Sequence, residues 1–366
     1  MILLAPTALL AAALFAPANE PAAVPAMVPA MAPAPAAVPA AAFGPGVDAA
    51  MIPADARWLA HVDVQGMFNS TLFKTLQGLE PDLDFHNNPD VAELRQMLGF
   101  DPFAEVKAVT AYGLPRDEEA AVIMIRTTAA AESAFSLLEQ HLDRRQTSMG
   151  GVDMQHWSEG HGDDMYTYMA RKEGSNARLL LLAPHAHDLA MGVNALRGEI
   201  DSLADEPGLT TSVGPGVLAM VSASGRLAEL GHDPEAERIA KMVESVQASV
   251  SENDGVLAIA VSVTAKNAAD AMAARQMIQG GLAFVGLMAR NEPEAAPILP
   301  LIDSLEVQTH GNTLSLRIER HVDDLVALIH QLEGGGHGGW DSGHDDTDVY
   351  RAPSKSKKKT NKDGWY

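Results

Sequence analysis

Two strand-and-helix blocks in tandem predict an α+β fold: two similar βαββαββα blocks, a mostly antiparallel sheet, and helices packed on one face. Three observations carry this. Short runs such as RWLAHVDV at 57–64 alternate apolar and polar residues with a period of two, as half-buried strands do. Longer stretches place apolar residues at helical spacing, as Ala131, Phe135, Leu138 and Leu142 do. Residues 106–127, VKAVTAYGLPRDEEAAVIMIRT, read like residues 246–264, VQASVSENDGVLAIAVSVT, with a shorter turn in the second copy.

The first block opens with a strand at 57–64, with Trp58, Ala60, Val62 and Val64 on one face and Leu59, His61 and Asp63 on the other. A helix carrying Met67, Phe68, Leu72 and Leu76 follows. An acidic, turn-rich linker at 81–102 contains a short helical stretch at 91–98. Strands at 106–112 and 121–126 flank a turn at 114–119, and a helix covers 129–142. Strands at 165–170 and 179–183 pair across RKEGSN, and Leu189, Val193 and Leu196 mark the last helix. Hairpins between neighbouring strands imply antiparallel pairing.

The second block repeats that order. A strand at 217–223 leads to a helix at 234–244, then a hairpin turning at 252–255. The counterpart helix, 267–289, is longer than its partner and is expected to turn Met272, Ile278, Leu282 and Val285 toward the core. Residues 305–309 turn at His310, Gly311 and Asn312 into 314–318, and a helix with Val322, Leu325, Ile329 and Leu332 closes the block.

The blocks are expected to span residues 51–204 and 205–333. Residues 1–18 read as a signal peptide: 2–15 are almost entirely apolar and end at Ala16-Pro17-Ala18, although no Lys or Arg precedes them. The run falls short of the roughly 20 residues that cross a bilayer as a helix, so the mature chain is expected to have no transmembrane helix and to be periplasmic, envelope-associated or extracellular. Residues 19–50, rich in Ala and Pro, form an extended spacer. Residues 334–366, rich in Gly, Asp and Lys, are expected to be a solvated, disordered tail. Its lysines Lys355, Lys357, Lys358, Lys359 and Lys362 could touch an anionic envelope polymer or membrane surface.

Composition narrows the function classes. A net charge of -22 with pI near 4.8 argues against nucleic acid as a partner, because phosphate binding needs a basic surface. With no cysteine there is no disulfide, thiolate metal site or cysteine nucleophile. No GxSxG elbow, GxxxxGK[ST] loop, GxGxxG turn or HExxH helix occurs. Ser222 and Ser224 end a strand, but no base can be assigned to them.

The candidate chemistry lies in QHWSEGHGDD at 155–164. His156, Glu159 and His161, with Asp163 and Asp164 beside them, are residue types that ligate a divalent metal; the competing reading is a solvated polar connection. His185 and His187 in PHAHD read as a loop or helix entry. Of 17 methionines, Met272, Met277 and Met288 share the long helix and Met165 and Met169 a strand. Such residues can line an adaptable apolar surface, though core filling is the commoner use.

The opening of the ordered region, Ile52-Pro53-Ala54-Asp55-Ala56-Arg57-Trp58-Leu59-Ala60-His61-Val62-Asp63, resembles a broad group of uncharacterised exported bacterial envelope proteins. In that group a Pro-Ala-Asp turn leads into the first strand. The resemblance implies no activity and no catalytic residue. Taken together, the residues point to a non-enzymatic exported envelope protein, a scaffold or binding module for a protein or envelope-polymer partner, of unknown oligomeric state. The alternatives are a carrier of an apolar ligand in a Met/Leu-lined cavity between sheet and helices, and a metal-dependent hydrolase using the loop at 156–164.

Overall fold

Strands β1 (Trp58–Asp63) and β8 (Val217–Ser224) lie side by side at the centre of one twelve-stranded sheet, and each half of the chain grows outward from that seam. The computed structural model describes residues 46–79, 88–115, 121–158, 164–206, 208–211, 216–225, 241–292 and 296–334. The expected signal peptide, most of the spacer and nearly all of the tail lie outside the described residues.

The first half adds β2 (Ala108–Gly113), β3 (Ala121–Thr128), β7 (Ala177–Ala183) and β6 (Asp164–Arg171); beyond them come β5 (Val152–Ser158) and β4 (Asp143–Met149). The second half adds β9 (Val243–Asn253), β10 (Val256–Ala265), β12 (Thr313–His321) and β11 (Glu306–His310). Neighbouring strands pair antiparallel throughout. The order β1-β2-β3-β7-β6 matches β8-β9-β10-β12-β11. Hairpins fix this arrangement locally, because adjacent strands joined by a tight turn can only run antiparallel. Gly255, which follows Asp254 in the β9–β10 turn, has φ 74°, a conformation in which glycine alone is unstrained.

Nine helices lie among the described residues: α1 (Val64–Asn69), α2 (Thr71–Leu79), α3 (Pro89–Leu98), α4 (Pro102–Glu105), α5 (Glu132–His141), α6 (Ala186–Arg197), α7 (Ala268–Asn291), α8 (Leu299–Ser304) and α9 (Val322–Gly334). Side-chain caps start several of them. Asp63 accepts from the Gly66 N–H at α1, Asp101 from Phe103 at α4, and Asn267 from Asp270 at α7, each satisfying a donor that has no partner within the helix. Gly198, left-handed with φ 69°, ends α6.

Both faces of the sheet are apolar, so the helices divide between them. Leu59, Tyr112 and Val122 are aligned across β1, β2 and β3, and with Leu179 and Leu181 they meet Leu189, Val193 and Leu196 of α6 in the main core. The opposite face runs through Trp58, Ala223, Val246, Val263 and Leu314, and α7 lies over its outer end. On that same face Phe135 of α5 stacks on Trp157 of β5, ring centroids 5.8 Å apart. The sequence holds the reason: ARLLLLA in β7 and AVIMI in β3 are apolar at consecutive positions, which marks strands covered on both sides.

Four expectations need correction. Helices cover both faces of the sheet rather than one, because strands such as β3 and β7 are apolar on both sides. Residues 155–158, read as part of a polar loop, belong with 143–154, to which no element was assigned, to the β4–β5 hairpin, whose outer strand is largely exposed and polar (DRRQTSM) and so lacks an apolar signature. The helix expected at 234–244 cannot extend to its end, because Val243 and Glu244 are in β9; residues 234–240 lie outside the described residues. Met272 and Val285 of α7, expected in the core, are exposed, whereas Ala271 and Ala289 are buried.

The halves are joined at a second point besides the β1–β8 seam. Glu252 at the end of β9 accepts from the N–H groups of Thr71 (2.6 Å) and Leu72 (3.0 Å) at the start of α2. Desolvation opposes its ionisation, but the hydrogen bonds from Leu72 and Thr71 and the Lys74 charge prevail and hold its pKa below the ordinary glutamate value. Glu252→Gln removes the charge from the helix N-terminus and is expected to cost about 1 kcal/mol, read as a lower urea midpoint at pH 7. The difference should vanish as the wild-type carboxyl protonates at acidic pH.

Candidate functional site

Three places could carry function, and the structure separates them. The first is the sequence-predicted metal loop. His156 lies within β5, its ring stacked on Tyr166 at 4.7 Å and its Nε2 3.0 Å from Asp164 Oδ1. Glu159, His161 and Asp163 lie outside the described residues. Among the described residues no three His, Cys, Asp or Glu side chains converge to hold a metal ion. His185 occupies the N-cap position of α6, without a side-chain capping hydrogen bond, and His187 lies in its first turn, as a helix entry.

The second is a buried polar group beside the seam. His61 is 1% exposed and its Nδ1 lies 2.8 Å from Thr110 Oγ1. Arg126, also buried, has its pKa lowered by desolvation, against the charges of Asp48 and Asp63. Tyr112 is fully buried; burial first, then the charges of Asp188 and Asp55, raise its pKa, so it stays a neutral phenol. These groups are all buried, His61, Thr110 and Arg126 as polar side chains among core residues.

This centre makes stability depend on pH. Burial, followed by the Arg126 charge, lowers the His61 pKa from 6.5 to about 4. Between those values the unfolded chain binds a proton that the folded chain refuses, so stability is full above about pH 6.5 and falls as pH drops toward 4, by on the order of 3 kcal/mol. His61→Gln is expected to flatten that part of the profile. Urea midpoints for wild type and variant at pH 7.0 and 4.5 check it: the wild type should lose more stability between the two than the variant.

The third place is α7. Its sheet side carries Ala271 and Ala289, buried, with Ile278 and Leu282 half-buried. On the rest of its circumference Phe284 is 63% exposed, Met272 60% and Leu287 58%, and Met277, Val285 and Met288 are exposed as well. Val221 and Ile259, on central strands of the sheet face that α7 partly covers, are also exposed. α7 packs on β10, β11 and β12 and touches α8, and these apolar side chains stay exposed. Met272, Met277 and Met288 are therefore surface residues rather than core filling.

Beneath α7, Met242, Val263, Ala271, Ala274, Met277 and Leu314 line an apolar cavity of about 30 Å³. That volume is near the share of one water molecule in the liquid and far below the roughly 300 Å³ or more of a small-molecule pocket. The cavity stands where a Met/Leu-lined carrier site was expected, between sheet and helix, but an acyl chain does not fit it.

No protein-family model matches this chain, and no curated protein is significantly similar to it. Solved structures of TP0453 are similar in outline. Crystal form III aligns with TM-score 0.40 and 9% identity, covering 78% of this chain and 98% of that one. Form I gives 0.38 and 11% over 78% and 98%, and form IV 0.39 and 9% over 79% and 99%.

Proposed function

We propose that this chain is an exported envelope protein that binds without catalysing, a scaffold or binding module that presents the apolar helical face of its sheet to a partner in the envelope. The observation that carries the binding reading is α7, whose exposed residues Phe284, Leu287 and Met288 are of the kind that fill interfaces. Export is supported by the apolar run at 2–15 and the Ala/Pro spacer behind it. The likeness of residues 52–63 to exported envelope proteins points the same way. Among the described residues no helix is long and apolar enough to cross a membrane.

Fractionation of the source cells, with N-terminal sequencing of the recovered chain, tests the export part. The expected result is an extracytoplasmic or envelope fraction holding a chain cut near Ala18; cytoplasmic recovery with Met1 in place contradicts it. Native mass spectrometry of the same material tests the binding part. A stoichiometric divalent ion lost in His156→Ala would favour the hydrolase reading instead.

A further inference from the structure

We propose that the junction between the two halves is an acid-sensitive joint, which parts with each half still folded when His61 and Glu252 take up protons. This device does not depend on the binding reading; it follows from what crosses the junction.

Apolar contact lies mostly within the halves. Among the described residues, the buried side chains of the main core belong to the first half except for Leu209 and Met220. The small core of the second half, Leu218, Leu257, Val322 and Val326, includes Leu76 of α2 from the first. Polar links cross at two places: the ladder pairing residues 58–62 with 219–223, and the Glu252 carboxylate on the N–H groups of Thr71 and Leu72. Each place holds one titratable group that fits the closed joint only when deprotonated.

His61 stands in the ladder itself, opposite Met220 of β8 on one side and Thr110 of β2 on the other, and is buried with its Nδ1 on Thr110 Oγ1. Arg126 of β3, also buried, is the charge that acts on it, and Asp48 and Asp63 act on Arg126 in turn. Asp55 and Asp188 act on Tyr112, and α1, packed on β1, β2 and β8, carries no charged residue. An imidazolium in the closed joint is a second buried cation beside a guanidinium. With β8 withdrawn, β1 becomes an edge strand and the ring reaches water. Glu252 is acted on by Lys74 of α2, and α9, which starts at Val322 with its N–H on the Gly255 carbonyl, has Asp323 and Asp324 in its first turn. Protonating Glu252 takes an anion from the α2 N-terminus. Both protons therefore favour the open joint. With His61 titrating near 6.5 in the open joint and near 4 in the closed one, the open fraction rises on the order of 50-fold from pH 7.0 to 4.5.

Native-state amide exchange of the full chain in low urea, at pH 7.0 and 4.5, tests this. The expected result is that the amides of the β1–β8 ladder exchange through an opening of their own, less dependent on urea and more frequent than that of β3, β7, β10 and β12. After correction for intrinsic exchange rates, that opening should be on the order of 50-fold more frequent at pH 4.5. His61→Gln should remove most of this acid response. Glu252→Gln should make the opening about fivefold more frequent at pH 7.0 and leave the histidine response in place. Exchange of the ladder together with β3, β7, β10 and β12 overturns the inference, because the protons then act on unfolding of a half or of the whole chain. A separate opening of equal frequency at both pH values overturns it as well.

Discussion

Trp157→Ala is expected to destabilise the protein by about 3–5 kcal/mol, the range for removing a large aromatic from a core. Trp157 is fully buried although it sits in the fifth strand, near the edge of the sheet. It closes three contacts at once. Phe135 of α5 stacks on it, the Arg144 guanidinium lies 5.7 Å from its ring centroid, and its Nε1 donates to Thr167 Oγ1 at 3.0 Å. Thr167 is itself 2% exposed, so alanine leaves a cavity and a buried hydroxyl without its donor. The edge strand β4 has an exposed, polar face and depends on this ring for its anchorage. The variant should show a lower urea midpoint and faster amide exchange in β4 and β5 than in β1–β3. An unchanged midpoint would mean that the hairpin is held by its backbone ladder instead.

Gly192→Val should cost about 2–3 kcal/mol by overpacking. On propensity alone the exchange is favourable, since glycine inside a helix is worth roughly 1 kcal/mol less than alanine. Packing reverses the sign. A Cβ at residue 192 would lie 2.4 Å from the Tyr112 hydroxyl, 3.4 Å from Val122 Cγ1 and 3.5 Å from Leu181 Cδ2. Tyr112, Val122 and Leu181 are all buried in the main core, so none can yield without disturbing the sheet. Gly192 therefore sets how closely α6 approaches β2, β3 and β7. Thermal and urea unfolding of the variant check this; a gain in stability would show that α6 can lift from the sheet without loss.

The architecture was legible where local chemistry decides it. Hairpins at Asp254-Gly255 and at His310, Gly311 and Asn312 stand in the sequence as turns between alternating strands, and the β9–β10 and β11–β12 pairings follow from them. What escaped has physical causes. β4 has no apolar face, so periodicity carried no signal there. β3 and β7 are apolar on both faces, and alternation could not say that α6 and α7 would lie on opposite sides. In α7 the apolar residues ring the helix, so several stripes fit a period of 3.6 equally well; the one through Met272 and Val285 was the wrong choice, and small Ala271 and Ala289 face the sheet. The sequence holds no distinctive signal for this surface: residues 271–291 carry no acidic residue, but neither do residues 207–228. Histidines carry a conspicuous chemistry in the sequence, while a mostly apolar helix carries no motif.

The central claim, that the exposed face of α7 is a binding surface, is tested most directly by hydrogen–deuterium exchange of the protein with and without envelope membranes from its source cells. The account predicts slower exchange confined to α7, centred on residues 277–288, with β1–β3 unchanged. Protection elsewhere with none in α7, or no protection at all, would contradict it.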